Sequence, residues 1–469
     1  MTKIFSYKNR ILAAGTFIIL STTLSCKKLI EIPPNPPTSI TRQAAFADSA
    51  TAMSAVAGVY SFTPSTNGNG IPYHNGLFDV TTALAGNEVA YMGTYGDDAQ
   101  YYSHTLTPQN DRLNELWSVP YAGIYQVNDI LANITGNNKL SASFVKQITG
   151  EMEFVRAFIY FYQVNLFGGV PLVTSTDYTT NTRLPRATAT EIYDQIFKDL
   201  DGAAKKLPAT YPSAGHVRPN LYTVIALRAK VNLYRGNWQA AYNEADSVIT
   251  RGGFSLLTDL NSVFLEESAE AIWQVPVLDA YQGSGDAMIF VSQGGIPNYL
   301  VTDSLLNKFD DKDLRKAAWL GFNVVDNDTL YYPFKYKDVV PTTPATNFML
   351  LRYAEMYLIR AEAAAQLGGL AEAVDDINII RRRAGLTPVY PATQTAVLDA
   401  IRQERRLEMC FEFGNRFFDL NRTSTDNKYP SSGQAPAVLP GWKPDFAIFP
   451  VPQTQRTLNS RLTQNPGYN

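Results

Sequence analysis

Two segments of this chain share one arrangement, in which a glycine turn separates two helical patterns. The first covers residues 221–251 and the second covers residues 348–383. Aligning the turn glycines, Gly236 and Gly368, matches three further positions: Ala229 with Ala361, Trp238 with Leu370, and Ala241 with Ala373. Small residues let paired helices approach closely, and the bulky residue packs between them. Stacked helical hairpins are therefore the arrangement that this chain most strongly predicts.

Further helical patterns extend this arrangement along the chain. Apolar residues at helical spacing predict helices over residues 41–60, 109–134, 141–167 and 190–207, and a last helix over residues 394–413. Thr190 is the expected N-cap of the fourth of these helices. The hairpins resemble degenerate tetratricopeptide repeats, so we predict a mainly α fold: a tetratricopeptide-like α-solenoid of about four helix pairs. Unrelated helical hairpins would give the same spacing.

Two long irregular segments interrupt the helical patterns. Residues 61–108 and 254–346 are rich in Gly, Asn, Asp, Thr and Tyr, with short β-like runs at 271–275 and 329–332. Loops of this length in a compact chain are often functional. The body is therefore predicted to comprise repeat helices at about 41–60, 109–253 and 347–413, an irregular lobe of loops and short strands at about 61–108 and 254–346, and a tail at 414–469.

The N-terminus has the features of an exported lipoprotein. Positive residues precede an apolar run over residues 11–20, which is too short to span a bilayer but has the length of a signal-peptide core. Ser25 supplies a small residue directly before Cys26. We therefore predict a signal peptide over residues 1–25 and lipid modification of Cys26. The alternative is an ordinary secreted protein in which this cysteine occurs by chance.

Residues 26–40 form a predicted proline-rich tether. Pro33, Pro34, Pro36 and Pro37 lie within five residues and favour an extended polyproline II segment, which rises roughly 3 Å per residue. Two or three acyl chains on one cysteine would anchor the protein stably where a single chain would not. The tether would then hold the body away from the membrane surface.

Composition excludes several classes of function. The net charge of −3 provides no basic field for nucleic acid. Three histidines form no ligand-spaced pair, and the sequence contains no H-E-x-x-H, G-x-S-x-G or P-loop motif. We therefore expect no metal, no cofactor and no nucleic-acid partner. With Cys26 lipidated, Cys410 has no disulfide partner and is expected to be a buried small hydrophobe.

Four segments, taken together, carry a family resemblance. They are residues 153–171, which end in L-F-G-G-V-P, residues 351–385, residues 404–422, and residues 449–468, which end in Q-N-P-G-Y. In sequence and in order they resemble the SusD/RagB family of outer-membrane nutrient-binding lipoproteins. They are distributed over residues 153–468.

The resemblance implies both a fold and a function. The implied fold is a right-handed solenoid of tetratricopeptide-type pairs with an irregular lobe packed on it. The implied function is capture of oligosaccharides at the outer membrane, facing the cell exterior, as a lid over a SusC-type TonB-dependent transporter. A minority branch of the family captures peptides. The resemblance also implies a binding protein rather than an enzyme.

The charged residues of these motifs are expected to be structural. Glu355 and Glu362 lie seven residues apart and share one helix face. The expected partners of these two residues are Arg383, Arg405 and Arg406. Arg416 and Asp419 are expected to attach the last helix to the body. The alternative interpretation of this cluster is an anion site.

The resemblance places the ligand site on the irregular lobe, where two tyrosine-rich stretches lie. We predict that Tyr91, Tyr95 and Tyr281 stack on sugar rings, and that Asn87, Asp97 and Gln282 bind sugar hydroxyls. Neither stretch contains tryptophan. The sequence therefore leaves smaller glycans, branched glycans and peptides as candidate ligands. The alternative is that these are ordinary loop tyrosines packed against the solenoid.

Three other functions compete with glycan capture. A peptide-binding member of the same family would have similar polar loops. A glycosidase is less expected, but its paired carboxylates cannot be recognised from sequence. An interaction module that uses only its helical repeats is the remaining alternative.

Overall fold

The computed structural model describes residues 41–60, 76–277, 283–424, 428–429, 433–439 and 441–468. The predicted signal peptide, Cys26, the tether and two predicted ligand residues, Tyr281 and Gln282, lie outside these ranges.

The described part of the chain is mainly helical. Its α-helices are α1 (Arg42–Ala45), α2 (Ser49–Tyr60), α3 (Phe78–Ala85), α4 (Asp97–Tyr102), α5 (Asp111–Ile134), α6 (Ala142–Phe167), α7 (Tyr178–Asn181), α8 (Ala189–Lys206), α9 (Leu221–Tyr234), α10 (Trp238–Arg251), α11 (Gly285–Phe290), α12 (Asp303–Leu306), α13 (Leu314–Trp319), α14 (Tyr353–Leu367), α15 (Leu370–Arg383), α16 (Gln394–Glu408), α17 (Asn415–Thr423), α18 (Ala435–Val438) and α19 (Gln453–Leu458). The strands are β1 (Val89–Tyr91), β2 (Ala271–Pro276), β3 (Tyr299–Val301), β4 (Leu320–Val325), β5 (Asp328–Pro333) and β6 (Asn347–Arg352).

The long helices form one continuous row. Helix α2 packs on α5, α5 on α6, α6 on α8, α8 on α9, and α9 on α10. The row continues from α10 to α14 although the irregular lobe separates them in sequence, and α15 and α16 follow. The predicted mainly α fold is confirmed. None of the described helices is long and apolar enough to cross a bilayer.

Local capping sets most of the helix boundaries. Ser141 caps α6, and Gly168 at its end has a φ of +70°, which favours glycine. The prediction of Thr190 as the cap of α8 was wrong. Thr188 caps this helix in a capping box with Glu191, so the helix begins at Ala189. The predicted 41–60 helix is interrupted because the Asp48 carboxylate accepts from Ala50 N and Thr51 N and starts a new helix.

The prediction that the helix of the second hairpin begins at residue 348 was wrong. Residues Asn347–Arg352 form β6, which pairs antiparallel with β2, and α14 begins only at Tyr353. All residues of β6 are buried. An apolar run buried on both faces has no alternation, so periodicity cannot distinguish it from helix.

The last repeat helix is also shorter than predicted. It ends at Glu408 rather than residue 413, because Phe411 and Phe413 adopt φ angles of +60° and +40°. Their amides donate to carboxylates of the first lobe segment. Phe413 N donates to Asp79 Oδ1 at 2.6 Å, and Phe411 N donates to Glu88 at 3.3 Å. These hydrogen bonds stabilise the positive φ angles of Phe411 and Phe413, which would otherwise be strained.

The lobe contributes paired strands rather than a large sheet. Antiparallel pairs form between β1 and β3, between β2 and β6, and between β4 and β5. Aromatic rings join the lobe to the helix row. Phe158 of α6 lies 4.8 Å from Trp273 of β2, measured between ring centroids, and Tyr162 lies 4.4 Å from Phe413.

Cys410 is fully buried, as predicted.

A buried network of ion pairs, which we call the Glu408 network, lies between the lobe and the last helices. Arg352 Nη1 donates to Glu408 Oε1 at 2.6 Å, and Arg352 also binds Glu412 at 2.8 Å. Arg315 of α13 contacts Glu408 at 3.2 Å, and Arg383 of α15 also binds it. Burial alone would raise the pKa of Glu408, but the three arginines hold it well below its usual range.

The motif charges are paired, but only partly as predicted. Glu355 binds Arg405 at 2.6 Å, as expected, and also Lys230 at 3.0 Å. Glu362 instead binds Arg422, which comes from α17, while Arg383 joins the Glu408 network. The nearest polar partner of Arg406 is the Ser304 hydroxyl at 2.8 Å.

Asp419 attaches α17 to the body, as expected, through Arg405 at 2.6 Å. Arg416 is buried close to Glu88 of the lobe, where burial raises the pKa of Glu88 and the charge of Arg416 opposes this shift. The Nε atom of Arg416 has no hydrogen-bond partner among the described residues.

We predict that Arg352→Met lowers the free energy of unfolding by about 3–5 kcal/mol, because three buried glutamates, Glu270, Glu408 and Glu412, each lose one of their cationic partners. Urea denaturation at neutral pH measures this change. Lys316→Met is the control, since its partner Asp311 is exposed, and it should change stability by less than about 1 kcal/mol. Equal effects would contradict the role of the network.

The same network predicts acid sensitivity. The pKa of Glu408 in the fold lies well below its ordinary value of 4.5, so the folded state binds fewer protons than the unfolded chain. Its stabilisation is complete above pH 4.5 and is lost as pH falls through the folded-state pKa.

Candidate ligand-binding site

The two segments of the irregular lobe meet in the antiparallel ribbon of β1 and β3. Tyr91 lies opposite Tyr299, and beyond the ribbon Met92 N donates to Asn298 O at 2.9 Å. This register brings residues 92–95 alongside residues 295–298. The loop that carries Tyr95 therefore lies against the second segment of the lobe.

Tyr91 is held by ring packing on both sides. Its ring centroid lies 5.5 Å from that of Tyr299. The ring also covers Gly93, where an added β-carbon would come within 2.5 Å of the ring atoms. Glycine at position 93 is therefore needed for the ring to lie against the backbone. Tyr91 is half-buried and offers only part of its ring to a ligand.

Buried polar contacts fix the segment that carries Asp97. Tyr299 donates its hydroxyl to Asp98 Oδ2 at 2.5 Å, and Arg112 Nε lies 2.9 Å from Oδ1. Burial raises the pKa of Asp98, and Arg112 and Tyr299 oppose this shift. The neighbouring Asp97 is half-buried, and no described residue donates a hydrogen bond to its carboxylate. That carboxylate is available to a ligand.

We use the term lobe face for four exposed side chains carried by adjoining segments of the lobe: Met92, Tyr95, Ile296 and Phe322. The Tyr95 side chain is 87% exposed, and the other three are also exposed. Asn323 of β4 connects the hairpin to the loop of Ile296, since its Nδ2 donates to Gly295 O at 2.7 Å. The lobe face is therefore built by three separate segments of the chain.

Sequence reasoning missed Phe322 and Ile296. The ring of Phe322 lies 5.8 Å from that of Tyr331 across the β4–β5 hairpin, on its outer side. The alternation of Phe322, Asn323 and Val324 opposite the β-like run at 329–332 was the available signal.

Asn87 lies at the other end of β1 from Tyr95. It has a φ of +54°, and its Nδ2 donates to Val438 O at 3.1 Å. The structure therefore places Tyr91, Tyr95 and Asp97 along one segment and Asn87 apart from them. The roles of these four residues, and of Tyr281 and Gln282 outside the described ranges, stay predictions.

A buried carboxyl pair joins α3 to α11 in the lobe. Burial, and then the adjacent Asp286 carboxylate, raise the pKa of Asp79 well above its usual range. Burial raises the pKa of Asp286 to about 7. Glu412 and the Tyr336 hydroxyl lie close to the pair. No group of metal-binding side chains suited to hold an ion occurs in the part of the chain that the structure describes.

Two family models match this chain. The model described as SusD family matches residues 314–468, and one described as starch-binding, associating with outer membrane, matches residues 66–233. The chain is similar to the SusD family over these two ranges.

One relative matches this SusD-like protein over almost its full length, and another matches it over less than half. SusD-like protein P2 of Formosa agariphila is 27% identical, covering 97% of this chain and 99% of its own. Starch-binding protein SusD of Bacteroides thetaiotaomicron is 29% identical over 40% of this chain and 32% of its own.

Solved structures show the same fold. A SusD superfamily protein from Bacteroides vulgatus has a TM-score of 0.77 at 22% identity, covering 90% of this chain and 100% of its own. A laminarin-binding SusD-like protein has a TM-score of 0.73 at 24% identity, covering 89% of this chain and 99% of its own.

The family assignment determines the class of function. SusD-like proteins are glycan-binding proteins associated with the outer membrane, and they are not enzymes. This SusD-like chain is therefore a binding protein, which removes the glycosidase alternative.

We predict that Asp286→Asn stabilises the protein above neutral pH by on the order of 2 kcal/mol. The raised pKa means that the folded state binds more protons than the unfolded chain, so wild-type stability falls as pH rises from 3.8 to about 7. Urea denaturation across this range should show a smaller fall for the variant. The exposed Asp311→Asn is the control, and an identical pH profile for Asp286→Asn and wild type would refute the assignment.

Proposed function

We propose that this SusD-like protein captures oligosaccharides at the outer membrane and delivers them to a SusC-type TonB-dependent transporter. The observation that carries the proposal is the lobe face, an aromatic surface exposed on a member of a glycan-binding family. A starch-binding relative and a laminarin-binding protein of the same fold support a glycan ligand.

The chemistry of the lobe face fits a sugar. The apolar face of a pyranose ring stacks on an aromatic ring, and Tyr95 presents a nearly uncovered ring. The Asp97 carboxylate, two residues further, can accept hydrogen bonds from sugar hydroxyls. The half-buried Tyr91 would contact the same sugar with the exposed edge of its ring. Asn87, Tyr281 and Gln282 complete the proposed set.

The helix row would act as the scaffold. We assign α2 with α5, α6 with α8, α9 with α10, and α14 with α15 as about four tetratricopeptide-type pairs. The packing of successive helices supports this assignment. One lobe segment is inserted within the first pair and the other between the third and fourth pairs, so both would be presented to the ligand on a rigid support.

Peptide capture is the second candidate. Met92, Ile296 and Val324 are exposed aliphatic side chains beside the aromatic ones, and such side chains suit the apolar residues of a peptide. The binding experiment below separates the two ligands.

We predict that Tyr95→Ala weakens oligosaccharide binding about tenfold, because the variant loses one stacking platform. The melting temperature should not change, since the side chain is almost fully exposed. A glycan array would first select the ligand, and calorimetry on the soluble mature chain would measure its affinity.

Tyr390→Ala is the matched control. Tyr390 is 75% exposed and lies in the loop between α15 and α16, outside the two lobe segments. If both variants bind equally well, the lobe face is not the site. Binding of mixed peptides and of no oligosaccharide would select the peptide function instead.

We also predict that Cys26→Ser releases the protein from the outer membrane, because the lipid anchor would no longer form. Membrane fractionation measures the release. Protease treatment of intact cells tests the proposed exterior orientation, since a protein facing the periplasm would be protected. Co-purification with a SusC-type barrel transporter tests delivery.

A further inference from the structure

A groove outside the lobe, which we call the lateral groove, runs between α5, the segment over residues 171–183, and α19. Its volume is about 560 Å³. Trp117 and Tyr121 of α5 line it, with Pro171 beside them, and so do Tyr178 and Leu458. The polar residues Asn181, Thr182, Arg183, Gln455 and Asn459 also contribute to the lining. Tyr178 is 76% exposed and Leu458 is 75% exposed. Large apolar side chains that face one groove and stay uncovered are typical of a binding surface.

The walls of the lateral groove are held in place. The Tyr121 hydroxyl donates to Pro171 O at 2.8 Å. At the other wall, Gln455 Nε2 of α19 donates to Asn114 Oδ1 of α5 at 3.0 Å. Asn459 Nδ2 donates to Leu184 O at 2.9 Å and connects α19 to the opposite segment. The groove is thus preformed, which lowers the cost of binding.

The described chain begins close to this groove. Arg42 Nη2 donates to the Tyr125 hydroxyl at 2.6 Å, and its Nε lies 3.0 Å from Asp129 Oδ1. Tyr125 lies one helical turn after Tyr121, which is about 6 Å along α5. Four residues span up to about 14 Å, so residue 37 can reach the groove from Thr41.

The sequence that precedes Thr41 has the chemistry that such a groove recognises. Residues 33–37 read P-P-N-P-P, which contains two overlapping P-x-x-P registers. Proline-rich segments bind aromatic-lined grooves because the polyproline II helix is already extended and loses little entropy on binding. At about 3.1 Å per residue, residues 33–37 would cover about 12 Å of groove.

We propose that residues 33–37 bind in the lateral groove as a polyproline II segment, packed on Tyr121, Tyr178 and Leu458. The tether then sets the orientation of the body relative to its anchor instead of acting only as a spacer. This proposal does not depend on which ligand the lobe binds.

Photo-crosslinking of the mature chain tests the proposal. The variant carries Asn35→p-benzoylphenylalanine in a Cys26→Ser background, and mass spectrometry maps the crosslinked peptides after irradiation. We expect most crosslinks to fall on peptides that contain Tyr121, Tyr178 or Leu458. The double substitution Tyr178→Ala and Leu458→Ala should lower these crosslinks about tenfold, because it removes the uncovered apolar contacts. Both side chains are exposed, so the fold should be unchanged, which circular dichroism checks.

Two controls make the outcome decisive. Tyr390→Ala removes an equally exposed tyrosine elsewhere and should leave the crosslinks unchanged. Replacing the four prolines of residues 33–37 by serine should distribute the crosslinks over many surface peptides. Crosslinks spread over the whole surface, or insensitive to the double substitution, would overturn the proposal. Protection of Tyr178 by an oligosaccharide, without groove crosslinks from position 35, would overturn it too and would assign the groove to a glycan.

Discussion

The Glu408 network is the interaction on which the arrangement of the lobe and helix row depends. Arg352 ends a lobe strand, Arg315 comes from a lobe helix, and Arg383 ends a row helix. All three converge on one fully buried carboxylate. Buried charges are costly unless they are fully paired, so the lobe can occupy only the position that pairs them. Apolar packing alone would tolerate small shifts between the two parts.

This constraint reaches the lobe face through covalent neighbours. Arg315 lies in α13, which leads directly into β4, and β4 carries Phe322. Asn323 in turn binds the loop that carries Ile296. The β1–β3 ribbon then connects this loop to the segment with Tyr95. An exposed ring can stack on a ligand reproducibly only when its backbone is fixed. Here the contacts that fix this backbone start from the buried Glu408 network.

Periodicity and glycine turns were sufficient to predict the two helical hairpins, since α9, α10 and α15 match closely. Two boundaries failed because tertiary contacts decide them. The strand β6 needs β2 as its partner, and the end of α16 needs Glu88 and Asp79 from the first lobe segment. Family resemblance directed attention to Tyr91 and Tyr95. It did not indicate Phe322, whose exposure depends on which side of the β4–β5 hairpin faces solvent.

The junction of α10 and α14 has a consequence for how such proteins diversify. The Tyr353 hydroxyl at the start of α14 donates to Ile249 O near the end of α10, and the rings of Tyr353 and Phe254 lie 5.9 Å apart. The chain therefore leaves the row and re-enters it at nearly the same point. An insertion with adjacent ends can lengthen or shorten at little entropic cost. Selection can thus replace this second lobe segment while the supporting helices keep their sequence constraints.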